Sequence, residues 1–172
     1  YIFKIGLRCN FDVKDGVLSR FGFDVGDPSF VHVINLIDKS RNIELAGLHC
    51  HFATRSLDCW KNRTKGMVNV LDRFFKHRIE ELSHISLGGG MYGPMPDELK
   101  VQFPVSIPSF SDYASVSASA LANYFKELKC KHKPCLIIEP GTAIVADSMK
   151  YVCKIISIKK VRGGTFVSLT GS

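Results

Sequence analysis

The sequence predicts an α/β fold, a parallel sheet covered by helices that runs on into a β-rich unit. Two observations carry this. Short apolar runs of strand character alternate with longer stretches whose apolar residues recur at helical spacing, which is the pattern of a parallel sheet with crossover helices. The polar and glycine-rich features then fall at the C-terminal ends of the strands, where parallel β/α proteins place their sites.

Taken in order, Ile2–Arg8 reads as the first strand. A helix follows Asp27-Pro28, a capping residue with proline at the first helical position, and carries Phe30, Val33, Ile34 and Ile37 on one face. Glu44–His51 is the second strand, followed by a helix bearing Trp60, Met67, Val68, Leu71, Phe74 and Phe75. His84–Leu87 is the third strand. The helix after it begins near Ser111 and carries Tyr113, Val116, Ala120, Leu121, Tyr124 and Leu128. Pro134–Glu139 is the fourth strand. After Ala146 the pattern changes: Lys150–Lys160 and Thr165–Leu169 read as two strands joined around Gly163-Gly164 with no helix between. The expected division is therefore residues 1–146 as a β/α unit and 147–172 as the start of a β-domain. Four β/α units equal half of an eightfold barrel, and equally a small doubly wound sheet.

Composition narrows the classes. Hydrophobic residues at 45 % and charged residues at 23 % are ordinary for a soluble globular chain. No stretch approaches the ~20 apolar residues of a membrane span. No signal peptide opens the sequence, so a soluble, cytoplasmic protein is expected. The net charge of +7 concentrates at Lys126, Lys129, Lys131 and Lys133, and at Lys159, Lys160 and Arg162. Neither run interleaves aromatics, so nucleic acid is not the expected partner. The six cysteines are scattered without a C-x-x-C pair, which reads as reduced, mostly buried thiols.

The strand ends hold the candidate chemistry. Arg8 ends the first strand and His51 the second; Gly88-Gly89-Gly90 follow the third, and Glu139 ends the fourth. Gly88–Gly93 formally matches G-x-G-x-x-G, but Pro94 and Pro96 follow and the next helix is expected some twenty residues on, so a dinucleotide fingerprint is a poor reading. What remains is a turn whose backbone N–H groups can approach an anion, or a tight turn with no ligand. His49 and His51 share one side of their strand and Cys50 the other. Two histidines at this spacing can bind zinc, but no third ligand with good spacing presents itself in the sequence. A strand histidine is ordinarily a satisfied core residue, although one at a barrel rim can lie flat against another ring. A carboxylate ending the apolar run Cys135–Glu139 needs a cation or hydrogen-bond donor. It serves either as a structural ion pair or as the group that keeps a heteroaromatic nitrogen protonated.

Together these residues resemble a known family. Ser19–Phe23 (SRFGF), Gly47–Thr54 (GLHCHFAT), Leu87–Gly90 (LGGG), Phe110–Ala114 (FSDYA) and Glu139–Gly141 (EPG) occur in the order and approximate spacing of the type III pyridoxal-phosphate (PLP) dependent decarboxylases, the alanine-racemase-like barrels that include the diaminopimelate and ornithine decarboxylases. The resemblance implies the second half of a TIM-type (β/α)8 barrel leading into a C-terminal β-domain, homodimeric when complete, acting on a small amino acid of the diaminopimelate, ornithine or lysine class. It implies that His51 stacks on the pyridine ring and that Gly88, Gly89 and Gly90 hold the phosphate. Arg8 would lie at the cofactor's edge, and Thr54 stands where the family usually has a phosphate-contacting serine. Glu139 would pair with the pyridine nitrogen, and Gly141 and Thr142 complete the expected cofactor contacts. No metal is expected. A carboxylate at Glu139 favours decarboxylation over racemisation, because it keeps the ring an electron sink.

Three departures stand out. The family's Schiff-base lysine lies on the first barrel strand, upstream of everything matched here. Lys4 sits about 13 Å deeper than Arg8 at ~3.3 Å per residue and is no substitute. The 172 residues alone are therefore expected to be inactive. Thr142 replaces the usual arginine after EPG, and Ala53-Thr54 replaces glycine-serine. The first of these leaves open a degenerate relative that acts as a binding or regulatory partner.

Overall fold

The structure, a computed structural model, describes residues 1–145, 148 and 150–171. Its centre is a five-stranded parallel sheet in the order β2-β1-β3-β4-β5. The strands are β1 (Phe3–Asn10), β2 (Phe23–Asp24), β3 (Ile43–His49), β4 (His84–Gly89) and β5 (Cys135–Glu139). β2 is a two-residue edge strand that the sequence does not announce. The register stacks Leu7 beside Leu48, Leu48 beside Ile85 and Ile85 beside Leu136. The middle of the sheet is thus a continuous apolar layer, and nearly every residue of β3 and β4 beyond their first turns is buried.

Helix α1 (Pro28–Lys39) is opened by the Asp27 carboxylate, which accepts the Ser29 N–H, and it buries Phe30, Ile34 and Ile37. Helix α2 (Leu57–Val70) is capped by Ser56 and buries Trp60, Arg63, Met67 and Val70. It continues through a wide π-type turn at Leu71–Phe75 into a 3-10 segment at Lys76–Glu81. Helix α3 (Asp97–Lys100) is a single turn. Helix α4 (Phe110–Ala114) opens with a Ser109/Asp112 capping box, and a second π-type turn at Ser115–Ser119 joins it to α5 (Ala120–Glu127). The short α6 (Thr142–Val145) follows β5. Antiparallel strands β6 (Ile155–Val161) and β7 (Gly164–Leu169) form a separate two-stranded sheet.

The expected α/β class and the three main helices are borne out. Several local expectations are corrected. Arg8 lies two residues inside β1, because the strand runs on to Asn10, where pairing with β2 holds it. His51 lies two residues beyond the end of β3. Gly88 and Gly89 belong to β4 itself, where a register shift between Ser86 and Gly89 sets Gly89 opposite Glu139. A single helical turn at Asp97–Lys100 comes before the expected third helix, which itself begins at Phe110, next to the expected Ser111. The boundary expected between residues 146 and 147 lies outside the described residues.

Among the described residues no helix is long and apolar enough to cross a membrane. The six thiols are free; Cys9, Cys50 and Cys59 are buried, Cys130 and Cys153 half-buried, and Cys135 exposed. "Mostly buried" therefore holds for half of them.

Candidate active site

Three neighbouring strands deliver the chemistry to one edge of the sheet. β3 brings His49 and, just beyond it, His51; β4 brings Ser86 and the glycines; β5 ends on Glu139. His51 Nδ1 lies 3.3 Å from Glu139 Oε2, and Ser86 Oγ donates to Glu139 Oε1 over 2.8 Å. His49 Nε2 lies 3.2 Å from Glu139 Oε1 but off the angle of a hydrogen bond, so that buried nitrogen has no partner. The sequence found no third donor for the two histidines. The structure supplies one from 88 residues further along the chain.

Electrostatics follow from this packing. Burial pushes the Glu139 carboxyl up, but the Ser86 and His51 hydrogen bonds and the nearby imidazoles outweigh it and hold it below its ordinary value. Burial draws the His49 pKa down, against the pull of Glu139, which favours neutral imidazole. The Cys50 thiol between the two histidines is fully buried and pushed up to about 12, chiefly by desolvation.

Glycine is required in the adjoining turn. Gly88 and Gly90 have φ of +73° and +81°, and a Cβ at Gly88 would sit 2.6 Å from the Cys50 carbonyl oxygen. At Gly89 a Cβ would fall 2.0 Å from the Glu139 carbonyl oxygen. Two of the amides expected to face an anion are engaged here, however. Gly88 N–H donates to Ser86 Oγ and Gly89 N–H to His51 Nδ1.

Arg8 reaches the same edge: its Nη2 donates to the His51 carbonyl over 3.2 Å and its guanidinium lies on the Phe21 ring. These residues join Ser19, Arg20 and Phe52 around a cavity of about 380 Å³. Thr54 is half-buried and its carbonyl accepts from Arg63. Gly141, at φ +52°, turns the chain into α6, which Thr142 opens as an exposed residue. Of the predicted residues, Arg8, His51, Glu139 and the glycines converge, whereas Thr54 and Thr142 make no direct contact with Glu139.

Two residues of the assembly were missed. Ser86 anchors Glu139, and its only sequence signal is a polar residue inside the apolar strand that precedes the glycines. Arg63 is completely buried and donates to the carbonyls of Leu87, Gly89, Phe52 and Thr54, so one guanidinium ties the loop after β3 to the glycine turn. Trp60 adds a 3.0 Å hydrogen bond from its indole N–H to the Gly90 carbonyl. The sequence shows only a charged residue, Arg63, on the helical face that carries Trp60 and Met67, which does not reveal its carbonyl partners.

Side chains gathered at the C-terminal edge of a parallel sheet, beside a glycine turn, mark a ligand-binding β/α domain. Residues 4–146 match the family described as pyridoxal-dependent decarboxylase, pyridoxal binding domain, and the chain belongs to that family. Its cofactor is pyridoxal phosphate. The chain is 28 % identical over 150 residues to the diaminopimelate decarboxylase of Haemophilus influenzae, covering 86 % of this chain and 32 % of that protein. It is 26 % identical over 165 residues to the diaminopimelate decarboxylase of Bacteroides thetaiotaomicron, covering 91 % and 38 %. Among solved structures, the diaminopimelate decarboxylase of M. jannaschii superposes with a TM-score of 0.75 at 20 % identity, over 99 % of this chain and 39 % of that one. The Helicobacter pylori diaminopimelate decarboxylase complexed with L-lysine gives 0.69 at 21 %, over 99 % and 41 %. These likenesses agree with a partial β/α barrel. The chain spans about a third of the length of the curated relatives it matches.

Proposed function

We propose that this chain is the cofactor-binding part of a PLP-dependent amino-acid decarboxylase acting on a substrate of the diaminopimelate, ornithine or lysine class. The observation that carries the reading is Glu139. It is a carboxylate held ionised by Ser86 at the mouth of a β/α sheet, within reach of His51 and the glycine turn. The residues fit the cofactor: the turn is built for glycine, and two imidazoles and one carboxylate gather beside it.

In this reading Glu139 holds a proton on the pyridine nitrogen, because an anion beside that atom raises its basicity. His51 would stack on the ring. Arg8 anchors the His51 backbone from one side, while Ser86 keeps Glu139 from rotating away. Gly88, Gly89 and Gly90 would hold the phosphate through their backbone amides, of which Gly88 N–H now serves Ser86 Oγ and Gly89 N–H serves His51 Nδ1. Thr54, Gly141 and Thr142 would supply further contacts to the cofactor. When bound, the cofactor supplies the electron sink for the carbanion left by departing CO2. The lysine that carries the cofactor in the family, and the rest of a homodimeric site, lie outside these residues.

The test is PLP titration of the folded chain, read by quenching of Trp60, the sole tryptophan, which is hydrogen-bonded to the glycine turn. It is paired with CO2 release from the protein that carries this chain. Saturable quenching that weakens in Glu139→Gln supports the reading; no quenching by folded protein overturns it.

Thr142 favours a second reading, a relative that no longer catalyses and serves as a binding partner. It places an exposed neutral side chain where the family has arginine. Cofactor binding without CO2 release from any amino acid of the class would select it.

A further inference from the structure

The decarboxylase reading assigns His51 and Glu139 but leaves His49 without a task. Its Nε2 is buried without a hydrogen-bond partner and points at Glu139 Oε1 from 3.2 Å. A buried ring nitrogen left unpaired is costly, and native structures rarely tolerate one without a reason. His51 poses a matching problem. Gly89 N–H reaches His51 Nδ1 over 3.3 Å while the same nitrogen faces Glu139 Oε2 at 3.3 Å, so one ring nitrogen stands between two partners. Two ring nitrogens therefore converge on the two oxygens of one carboxylate. A proton resolves one of these contacts. A single divalent cation resolves both.

The distances fit. Zinc bonds of about 2.0–2.1 Å to nitrogen and oxygen set neighbouring donors about 3.3–3.4 Å apart, close to the 3.2 Å from His49 Nε2 to Oε1 and the 3.3 Å from His51 Nδ1 to Oε2, with the carboxylate offering one oxygen to each side. All three donor atoms lie within 4.8 Å of one another. The donor set of two imidazoles and one carboxylate is the kind that binds zinc-class cations while keeping a position open for water. The strand frame is rigid: β3 supplies one histidine directly and β5 the carboxylate, and Ser86 holds the carboxylate between them.

We propose that His49, His51 and Glu139 form a binding site for a divalent transition cation of the zinc class, and that the cation and a pyridine ring exclude one another there. Both occupants need the Glu139 carboxylate and the His51 ring, so each removes the donors the other requires. The exclusion rests on the PLP reading above; the cation site does not.

The test titrates cobalt(II) chloride, then zinc chloride, into the metal-free 172-residue chain, with folding checked by circular dichroism. Expected are one cobalt per chain, weak visible bands without an intense thiolate-to-cobalt charge-transfer band, and displacement by zinc. His49→Gln and Glu139→Gln should each weaken binding by at least about tenfold, whereas Cys135→Ser and Cys130→Ser leave it unchanged. A thiolate band, no uptake, or full affinity in folded His49→Gln overturns the site. Pyridoxine 5′-phosphate, which lacks the aldehyde, is then added as competitor. It should raise the apparent Kd for cobalt; simultaneous binding of both overturns the exclusion. Cobalt uptake without pyridoxine phosphate binding sinks the PLP reading and spares the cation site, and the converse result does the opposite.

Discussion

Ser86 Oγ donates a 2.8 Å hydrogen bond to Glu139 Oε1, joining β4 to β5 at the edge where the two histidines of β3 arrive. This bond fixes both the position and the charge of Glu139. Ser86→Ala should therefore raise the Glu139 pKa towards its ordinary value. A hydrogen bond to a charged group contributes roughly 1.5–3 kcal/mol; Glu139 is half-exposed, so a stability loss of about 1 kcal/mol is expected. Carboxyl-region NMR titration and urea midpoints measure the two effects.

The same carboxylate makes stability depend on pH. Its folded pKa lies below the ordinary carboxylate value, so its contribution is present above that value and is lost as pH falls through the folded pKa. Urea midpoints compared between about pH 6 and about pH 3 should fall less for Glu139→Gln than for the wild type. An equal fall in both would show that Glu139 makes no such contribution.

Arg63 predicts a larger effect. Removing a fully buried guanidinium that serves four carbonyls leaves those oxygens unpaired. Arg63→Ala should destabilise the chain by about 3–5 kcal/mol, lowering Tm by roughly 6–20 °C at the usual ~2–4 °C per kcal/mol for a chain of this size. Arg63→Lys keeps the charge but loses the fork, and should recover only part of this. Thermal melts of the three proteins decide it.

Gly88→Ala combines left-handed backbone with a Cβ placed 2.6 Å from the Cys50 carbonyl. A loss of about 3 kcal/mol is expected. Gly16→Ala has a similar φ of +75° but open space around it, and should cost only about 1–2 kcal/mol. Denaturant curves of the pair separate backbone strain from steric conflict.

Thiol reactivity should divide the six cysteines. Cys9, Cys50 and Cys59 are buried with raised pKa values, desolvation being the main cause, whereas Cys135 is exposed. Brief iodoacetamide treatment of the folded chain followed by peptide mass mapping should modify Cys135 first and leave Cys9, Cys50 and Cys59 intact. Early labelling of Cys50 would contradict its complete burial just beyond β3.

Much of this architecture was readable from residue order, and the parts that were not share a cause. The apolar spacing of Phe30, Ile34 and Ile37, with Asp27-Pro28 before them, specifies α1 because capping and burial are local. The second histidine, the glycine run and Glu139 gather on one edge because strand ends collect there in a parallel sheet, although His51 lies past its strand and Gly88 and Gly89 lie within theirs. Ser86, Arg63 and the pairing of His49 with Glu139 were not readable, since each depends on which strands become neighbours. The π-type turns at Leu71–Phe75 and Ser115–Ser119 were hidden for a related reason. One extra residue in a turn leaves the apolar rhythm nearly unchanged. Phe23–Asp24 is too short to show any period and becomes a strand only because β1 offers an open edge.

The β6–β7 ribbon has a practical consequence for handling the chain. Every residue of both strands is exposed, including Ile155, Ile156, Ile158, Phe166, Val167 and Leu169. Apolar ribbons with free edges template intermolecular pairing, and two strands alone are marginally stable in water. Lys154, Lys159, Lys160 and Arg162 lie within and beside these apolar residues and act as electrostatic gatekeepers. Colloidal behaviour should accordingly be governed by ionic strength: salt that screens these cations over about 10 Å at 0.1 M removes the repulsion that keeps neighbouring ribbons apart, so the chain stores best in dilute, low-salt solution.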